Sequence, residues 1–118
     1  MSVDANYLAN AQRLVSQELT NTTETKIGDT AVDNSLVLAN VSIVNASASS
    51  VTVSLIWYDV FDTTSRMIWK GSIAANTTQG SDTMPLPIPL REGDEIRAIG
   101  NADIHINLVY VMQMTNTR

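Results

Sequence analysis

The amino-acid sequence predicts a mainly-β protein, an antiparallel β-sandwich domain preceded by a short N-terminal helix or arm. Three observations carry that prediction. Residues 37–43, 51–58 and 104–112 alternate between two sides with one side apolar throughout, which is the period of a strand with a buried face. Short turn signals separate the strands: Glu92-Gly93-Asp94, the stretch 100–103, and three prolines at positions 85, 87 and 89. Near Lys26 the apolar period changes from 3.6 to 2, which divides the chain into residues 1–25 and a sandwich over residues 26–118.

Taken in order, residues 4–19 carry the only helical pattern. Leu8, Ala11, Val15 and Leu19 recur at spacings of three and four, with Tyr7 beside them and Leu14 at the edge of the stripe. Residues 20–25 are poor helix formers whose side chains compete for backbone hydrogen bonds, so they end that segment and begin a linker. A helix of about four turns cannot form a core alone, so it lies against the β domain or against a neighbouring molecule. Tyr7, Leu8, Ala11, Val15 and Leu19 are therefore the candidate partner interface. Deleting residues 1–25 is then expected to spare the β fold and abolish attachment.

Residues 36–45 place Val37, Ala39, Val41 and Ile43 on one face and Leu38, Asn40, Ser42 and Val44 on the other. A small polar loop over residues 45–50 leads into Val51, Val53, Leu55 and Trp57, so the two strands are expected to form a hairpin. Residues 67–69 return as a strand, with Gly71 allowing a bend or an end. Residues 84–90 are extended, because a residue before proline is steered away from helix, and their lack of N–H donors puts them at an edge or a crossing. The last strand sets Ile104, Ile106, Leu108, Tyr110 and Met112 against His105, Asn107, Val109 and Val111. The second face of this strand is itself partly apolar. That pattern implies cover on both sides, from a second layer or a symmetric neighbour.

Composition narrows the function classes. The chain of 118 residues has the length of one domain, and it contains no cysteine, which removes disulfides, zinc–thiolate sites and thiol nucleophiles. Its net charge is −5 and its seven Lys and Arg are scattered, so phosphate-backbone binding is not expected. No segment reaches the roughly 20 apolar residues of a membrane helix, and the first residues lack a signal-peptide pattern; synthesis in a cytoplasm-like compartment is expected. Only 16% of residues are charged, while Ser, Thr and Asn are plentiful, a surface suited to packed assemblies.

No residue set points to catalysis, a cofactor or a metal. His105 is the only histidine, and its strand alternation turns it away from the apolar face, where it reads as a surface or interface residue. Asp29, Asp33, Asp59, Asp62 and Asp103 match no calcium-loop spacing and read as solvated turn acids. The Glu92-Gly93-Asp94 turn needs a positive φ at glycine, with its acids exposed. Trp57 shares a face with Val53 and Leu55 and reads as core, whereas Tyr58 and Trp69 are candidate exposed aromatics that could stack on a sugar.

The order Val41-Ser-Ile-Val-Asn45-Ala-Ser-Ala, a Thr-Val-Ser-Leu strand, a proline-marked segment and Leu90-Arg-Glu-Gly-Asp94-Glu-Ile-Arg-Ala98 before a final alternating strand resembles small virion proteins of tailed bacteriophages. These are capsid decoration (cement) proteins and small tail or neck components built on β-sandwich or jelly-roll domains. The likeness spans about residues 26–114. It implies a non-enzymatic structural protein of the virion that binds across the joints of the major capsid protein or other virion proteins, commonly as a homotrimer. The alternative is a receptor- or carbohydrate-binding module of a phage tail or neck.

Overall fold

In the computed structural model of the chain, residues 12–31 and 36–112 are described. They form nine strands: β1 (Gln12–Glu18), β2 (Thr25–Lys26), β3 (Leu36–Asn45), β4 (Val51–Asp59), β5 (Thr64–Ile73), β6 (Thr77–Gln79), β7 (Ile88–Leu90), β8 (Glu95–Ile99) and β9 (Ile104–Met112). Sheet A runs β1-β9-β3, with β6 and β7 on the far edge of β3, and sheet B runs β2-β8-β4-β5. All pairings are antiparallel. If β6 and β7 are taken as one interrupted strand, the chain crosses from sheet to sheet in the order of a jelly roll, two Greek keys wrapped face to face.

The core lies between the sheets. Val41, Ile43, Ile104, Ile106 and Leu108 from sheet A meet Val53, Leu55, Ile96 and Ala98 from sheet B, all fully buried. Each alternates with a residue of the outer face, as the sequence of β4 and β9 predicts, although in β4 two of those residues, Ser54 and Ile56, are buried as well. β3 departs from simple alternation. Its register with β9 shifts between Leu38 and Asn40, a bulge that inserts Ala39 and flips the phase of the strand. Leu38 is therefore buried together with Val41 and Ile43, whereas simple alternation sets it on the opposite face from them.

The expected hairpin of β3 and β4 does not form, because β3 lies in sheet A and β4 in sheet B. The loop between them is a corner. Asn45, fully buried, fixes it: Nδ2 donates to the carbonyls of Ser49 (2.8 Å) and Ile73 (2.9 Å), and Oδ1 accepts from the Ser47 amide (2.9 Å). The hairpin that does form joins β4 to β5 through residues 60–63. The proline segment lies at a sheet edge, one of the two places expected for it, with Pro89 in β7 opposite Val37.

The N-terminal expectation is corrected where it can be followed. Residues 12–18 are a strand rather than a helix, paired along their whole length with β9 from Gln12↔Val111 to Glu18↔His105. This pairing makes residues 12–18 part of the sandwich rather than of a separate arm. Leu19 follows the strand into the core at 1% exposure, and its amide donates to the Ile104 carbonyl (2.8 Å). Gly100 makes room for it: a Cβ there would lie 2.9 Å from Leu19 Cδ1. Tyr7, Leu8 and Ala11 lie outside the described residues.

Candidate functional site

The outer face of sheet A is built by the residues that alternate with the core. From β9 come His105, Asn107, Val109 and Val111, all half-buried. Register places β1 and β3 beside them in rows: Leu14–Val109–Asn40, Ser16–Asn107–Ser42, and Glu18–His105–Val44. A fourth row crosses Val111, Val37 and Pro89. Most polar groups in these rows are amides and hydroxyls, and the asparagine carbonyl oxygens among them are bonded within the chain. Ser16 Oγ donates to Asn107 Oδ1 (2.6 Å), and Asn40 Oδ1 accepts from the Val41 amide (2.8 Å) and from Ser81 Oγ (2.6 Å).

Charge is confined to one end of this face. In those rows only Glu18 and His105 are ionisable, and they are neighbours across the β1–β9 pair. Leu14, which projects from the edge strand, is 70% exposed, one of three large apolar side chains so placed among the described residues. Away from the Glu18–His105 end, the rows of valine, leucine, proline, serine and asparagine form an uncharged surface suited to packing against another apolar surface.

Sheet B presents a different surface. Arg97 lies between Glu24 (3.0 Å) and Glu95 (2.9 Å), and its guanidinium stacks 4.1 Å from the centre of the Tyr58 ring. The Arg97 hydrogen bond holds the Glu24 carboxyl below its ordinary value despite partial burial. Burial works against the charge of Arg97, yet hydrogen bonds to Glu24 and Glu95 leave its pKa raised. Thr30 Oγ1 donates to Glu95 (3.1 Å) and Ser65 Oγ to Glu24 (2.9 Å), so each of these two acids has a second partner within the chain.

The end of the sandwich where the 60–63 and 91–94 turns meet is pinned by two buried carboxylates. Asp94, with no exposed surface, accepts from Trp57 Nε1 (3.0 Å), the Val60 amide (3.1 Å) and the Arg91 amide (3.0 Å). Asp59 accepts from Arg91 Nη2 (2.7 Å), Arg66 Nε (3.2 Å) and the Phe61 amide (3.1 Å). Desolvation pushes the Asp59 carboxyl up, but the Arg66 hydrogen bond, two backbone amides and the Arg91 charge outweigh it and leave the pKa lowered. Arg91 in turn covers the ring of the exposed Phe61 at 4.1 Å. The expectation of solvated turn acids is thus wrong for Asp59 and Asp94. Gly93 does take the left-handed φ the turn requires, at +95°.

The sequence-predicted site residues are dispersed. Val15 packs on the core and Leu19 is inside it, so both are used within the chain's own sandwich. Tyr58 is half-buried under Arg97, and Trp69 is half-buried with Nε1 donating to Thr83 Oγ1 (3.1 Å), so neither is an open platform. The Asp29, Asp59, Asp62 and Asp103 carboxylates do not converge: among the described residues no group of three or more His, Asp or Glu gathers at metal-binding distances. No described helix is long and apolar enough to cross a membrane. The uncharged face was signalled in the sequence by the valines at positions 109 and 111, while the two buried aspartates carried no sequence signal beyond their place in turns.

No protein-family model matches the sequence, and no curated protein matches it in sequence. Solved structures do match in fold. The subunit of the disulfide-linked pili that form Bacillus endospore appendages aligns over 87% of this chain and 88% of its own at 13% identity and a TM-score of 0.51. The globular domain of zebrafish complement 1qA aligns over 90% and 99% at 8% identity and a TM-score of 0.53. Murine APRIL aligns over 86% and 98% at 11% identity and a TM-score of 0.51. At such identities the likeness establishes the two-sheet β fold alone.

Proposed function

We propose that this chain is a non-catalytic structural subunit that works by surface fit, packing the outer face of sheet A against another protein subunit. One observation carries the reading: a four-row face of Leu, Val, Ser and Asn with its ionisable groups confined to one end, on a chain whose described charges elsewhere are largely paired internally. Part of the polar content of this face is already bonded, Asn107 Oδ1 by Ser16 and Asn40 Oδ1 by Val41 and Ser81, which lowers the desolvation cost of burying it. The sequence resemblance gives the setting, a virion, and within it a capsid decoration protein bound at the joints of the shell as a homo-oligomer, a trimer by the same resemblance.

Whatever assembly forms is held without disulfides, since the chain has no cysteine; the covalent linkage named for the Bacillus appendages has no counterpart here. The carbohydrate-binding alternative gains no support from Tyr58 or Trp69, whose rings are partly covered within the chain. Quantitative mass spectrometry of particles purified from the source that encodes the chain tests the proposal. A fixed copy number relative to the shell subunit is expected. Absence from particles, or saturable quenching of tryptophan fluorescence by sugars, would overturn it.

A further inference from the structure

We infer that the end of the sandwich where the 60–63 and 91–94 turns meet is an acid-released clasp, in which protonation of the carboxylates frees the two turns from each other while the sheets stay folded. Every described hydrogen bond between residues 57–63 and residues 91–94 ends on a carboxylate. Trp57 Nε1 and the Val60 amide donate to Asp94, and Arg91 Nη2 donates to Asp59. The 91–94 turn also exchanges backbone bonds with Ala31, so the 60–63 turn is the part that moves. Apolar burial holds this end only weakly. Among residues 60–63 and 91–94 only Asp94 is buried; Val60 is half-buried over Gly93, and Phe61 is 71% exposed. The sheets behind are held by Val53, Leu55, Ile96, Ile106 and Leu108, whose burial does not depend on protonation. Segments with few buried apolar contacts open at a lower free energy than the core.

Charge supplies the drive. Asp59 accepts from Arg91 (2.7 Å) and from Arg66 of β5 (3.2 Å), so a neutral Asp59 leaves two guanidiniums side by side without the anion between them. Asp62, from the turn itself, shares Arg66 (2.6 Å), and Asp94 Oδ2 lies 3.8 Å from Arg91 Nε. Glu92 completes the acids of the 91–94 turn, and Glu95 beyond it is bound to Arg97 and Thr30. Because the Asp59 pKa is lowered in the closed form, this carboxyl takes up a proton more readily once the clasp is open. Opening therefore becomes easier as pH falls below about 4. The open form releases the Phe61 ring from Arg91 and the Trp57 indole from Asp94, so acid bares two aromatic side chains at this end.

Hydrogen exchange of the full chain, read by NMR at 25 °C from pH 7 to pH 2.5 and corrected for the intrinsic rates, tests the inference. At pH 2.5 the Trp57 indole and the Val60 amide should keep less than about tenfold protection, while the Leu55, Asn107 and Leu108 amides keep at least about 1,000-fold. Asp59→Asn, which cannot titrate, should lower the protection of Trp57 and Val60 about tenfold at pH 7 and flatten its dependence on pH. If Asp59→Asn fails to fold, the wild-type series decides the matter alone. Three results would overturn the inference: clasp and core groups that lose protection at the same pH, clasp groups still protected at pH 2.5, or a folded Asp59→Asn variant with the wild-type pH dependence at Trp57 and Val60.

Discussion

The outer faces of the two sheets have opposite chemistry. On sheet B and the adjoining turns, each described arginine meets at least one carboxylate: Arg97 with Glu24 and Glu95, Arg66 with Asp59 and Asp62, and Arg91 with Asp59 and Asp94. On sheet A the outward rows hold valine, leucine, proline, serine and asparagine with Glu18 and His105 at one end, and the strands are as long as those of sheet B. One side spends its charge on holding the chain in shape. The other side keeps its apolar area for contact with something else. Substitutions on the first should therefore act on folding, and substitutions on the second on association.

The largest effect tests this division within one short segment. Leu19 is buried and Leu14, five residues earlier, is exposed on the outer face. Leu19→Ala should cost about 2–5 kcal/mol of folding stability in urea titrations, because it leaves a cavity beside Gly100. Leu14→Ala should change stability by no more than about 0.5 kcal/mol while weakening the contact with the partner subunit. Equal stability losses would contradict the assignment of the two residues to opposite sides. By the same reasoning, deleting residues 1–25 removes an edge strand and a core leucine, and the cooperative melt should fall markedly, contrary to the expectation from a helical arm.

Asp94→Ala comes next. It strands Trp57 Nε1 and the amides of Val60 and Arg91 without an acceptor, so a loss of about 2–4 kcal/mol is expected, read as a lower urea midpoint at unchanged slope. Association, measured at a denaturant-free concentration where the variant is folded, should match the wild type. A loss under about 1 kcal/mol would mean that water replaces the carboxylate.

Acid should act on the charged side of the molecule first. Asp59 and Glu24 both have lowered pKa values when folded, so their stabilisation is complete above the unfolded carboxyl values, about 4, and is lost as pH falls through the lower folded values. Thermal midpoints should therefore drop below about pH 4. Asp59→Asn, which cannot titrate, should show a shallower acid limb. An identical pH profile for that variant would remove Asp59 from the account.

Much of this was legible in the sequence, and the failures have definite causes. Burial alternates strictly in β9, and in β4 the core residues stand two apart although Ser54 and Ile56 between them are buried too, so the inner residues from Val53 to Trp57 and from Ile104 to Tyr110 were readable from period alone, as was the partly apolar outer face of β9. β3 misled because the bulge at Ala39 changes its phase, and a bulge leaves no mark on composition. β1 misled because its strand state is imposed by β9, some ninety residues away in sequence, and overrides a local helical spacing. The aspartates misled for a related reason. Turn acids are usually solvated, and only the meeting of two turns brings Arg66, Arg91 and the Trp57 indole to Asp59 and Asp94.

Arg97 carries the smallest expected effect and the finest test of the contrast between the faces. Its two ion pairs and its stack on Tyr58 look substantial, but the side chains are partly exposed and water screens them. Exposed pairs contribute about 0–1 kcal/mol each, and a cation over an exposed ring about 0.5–1 kcal/mol. Removing the arginine also leaves Glu24 and Glu95 facing each other across the gap, which adds a repulsion that salt relieves. Arg97→Ala should thus cost about 1 kcal/mol at low ionic strength and less at 0.5 M sodium chloride. Association with a partner subunit through the neutral rows of sheet A should shift by no more than about threefold over the same salt range, since no described ion pair lies in those rows. A steep fall in association with salt would show that charges from sheet B or its turns take part in the contact.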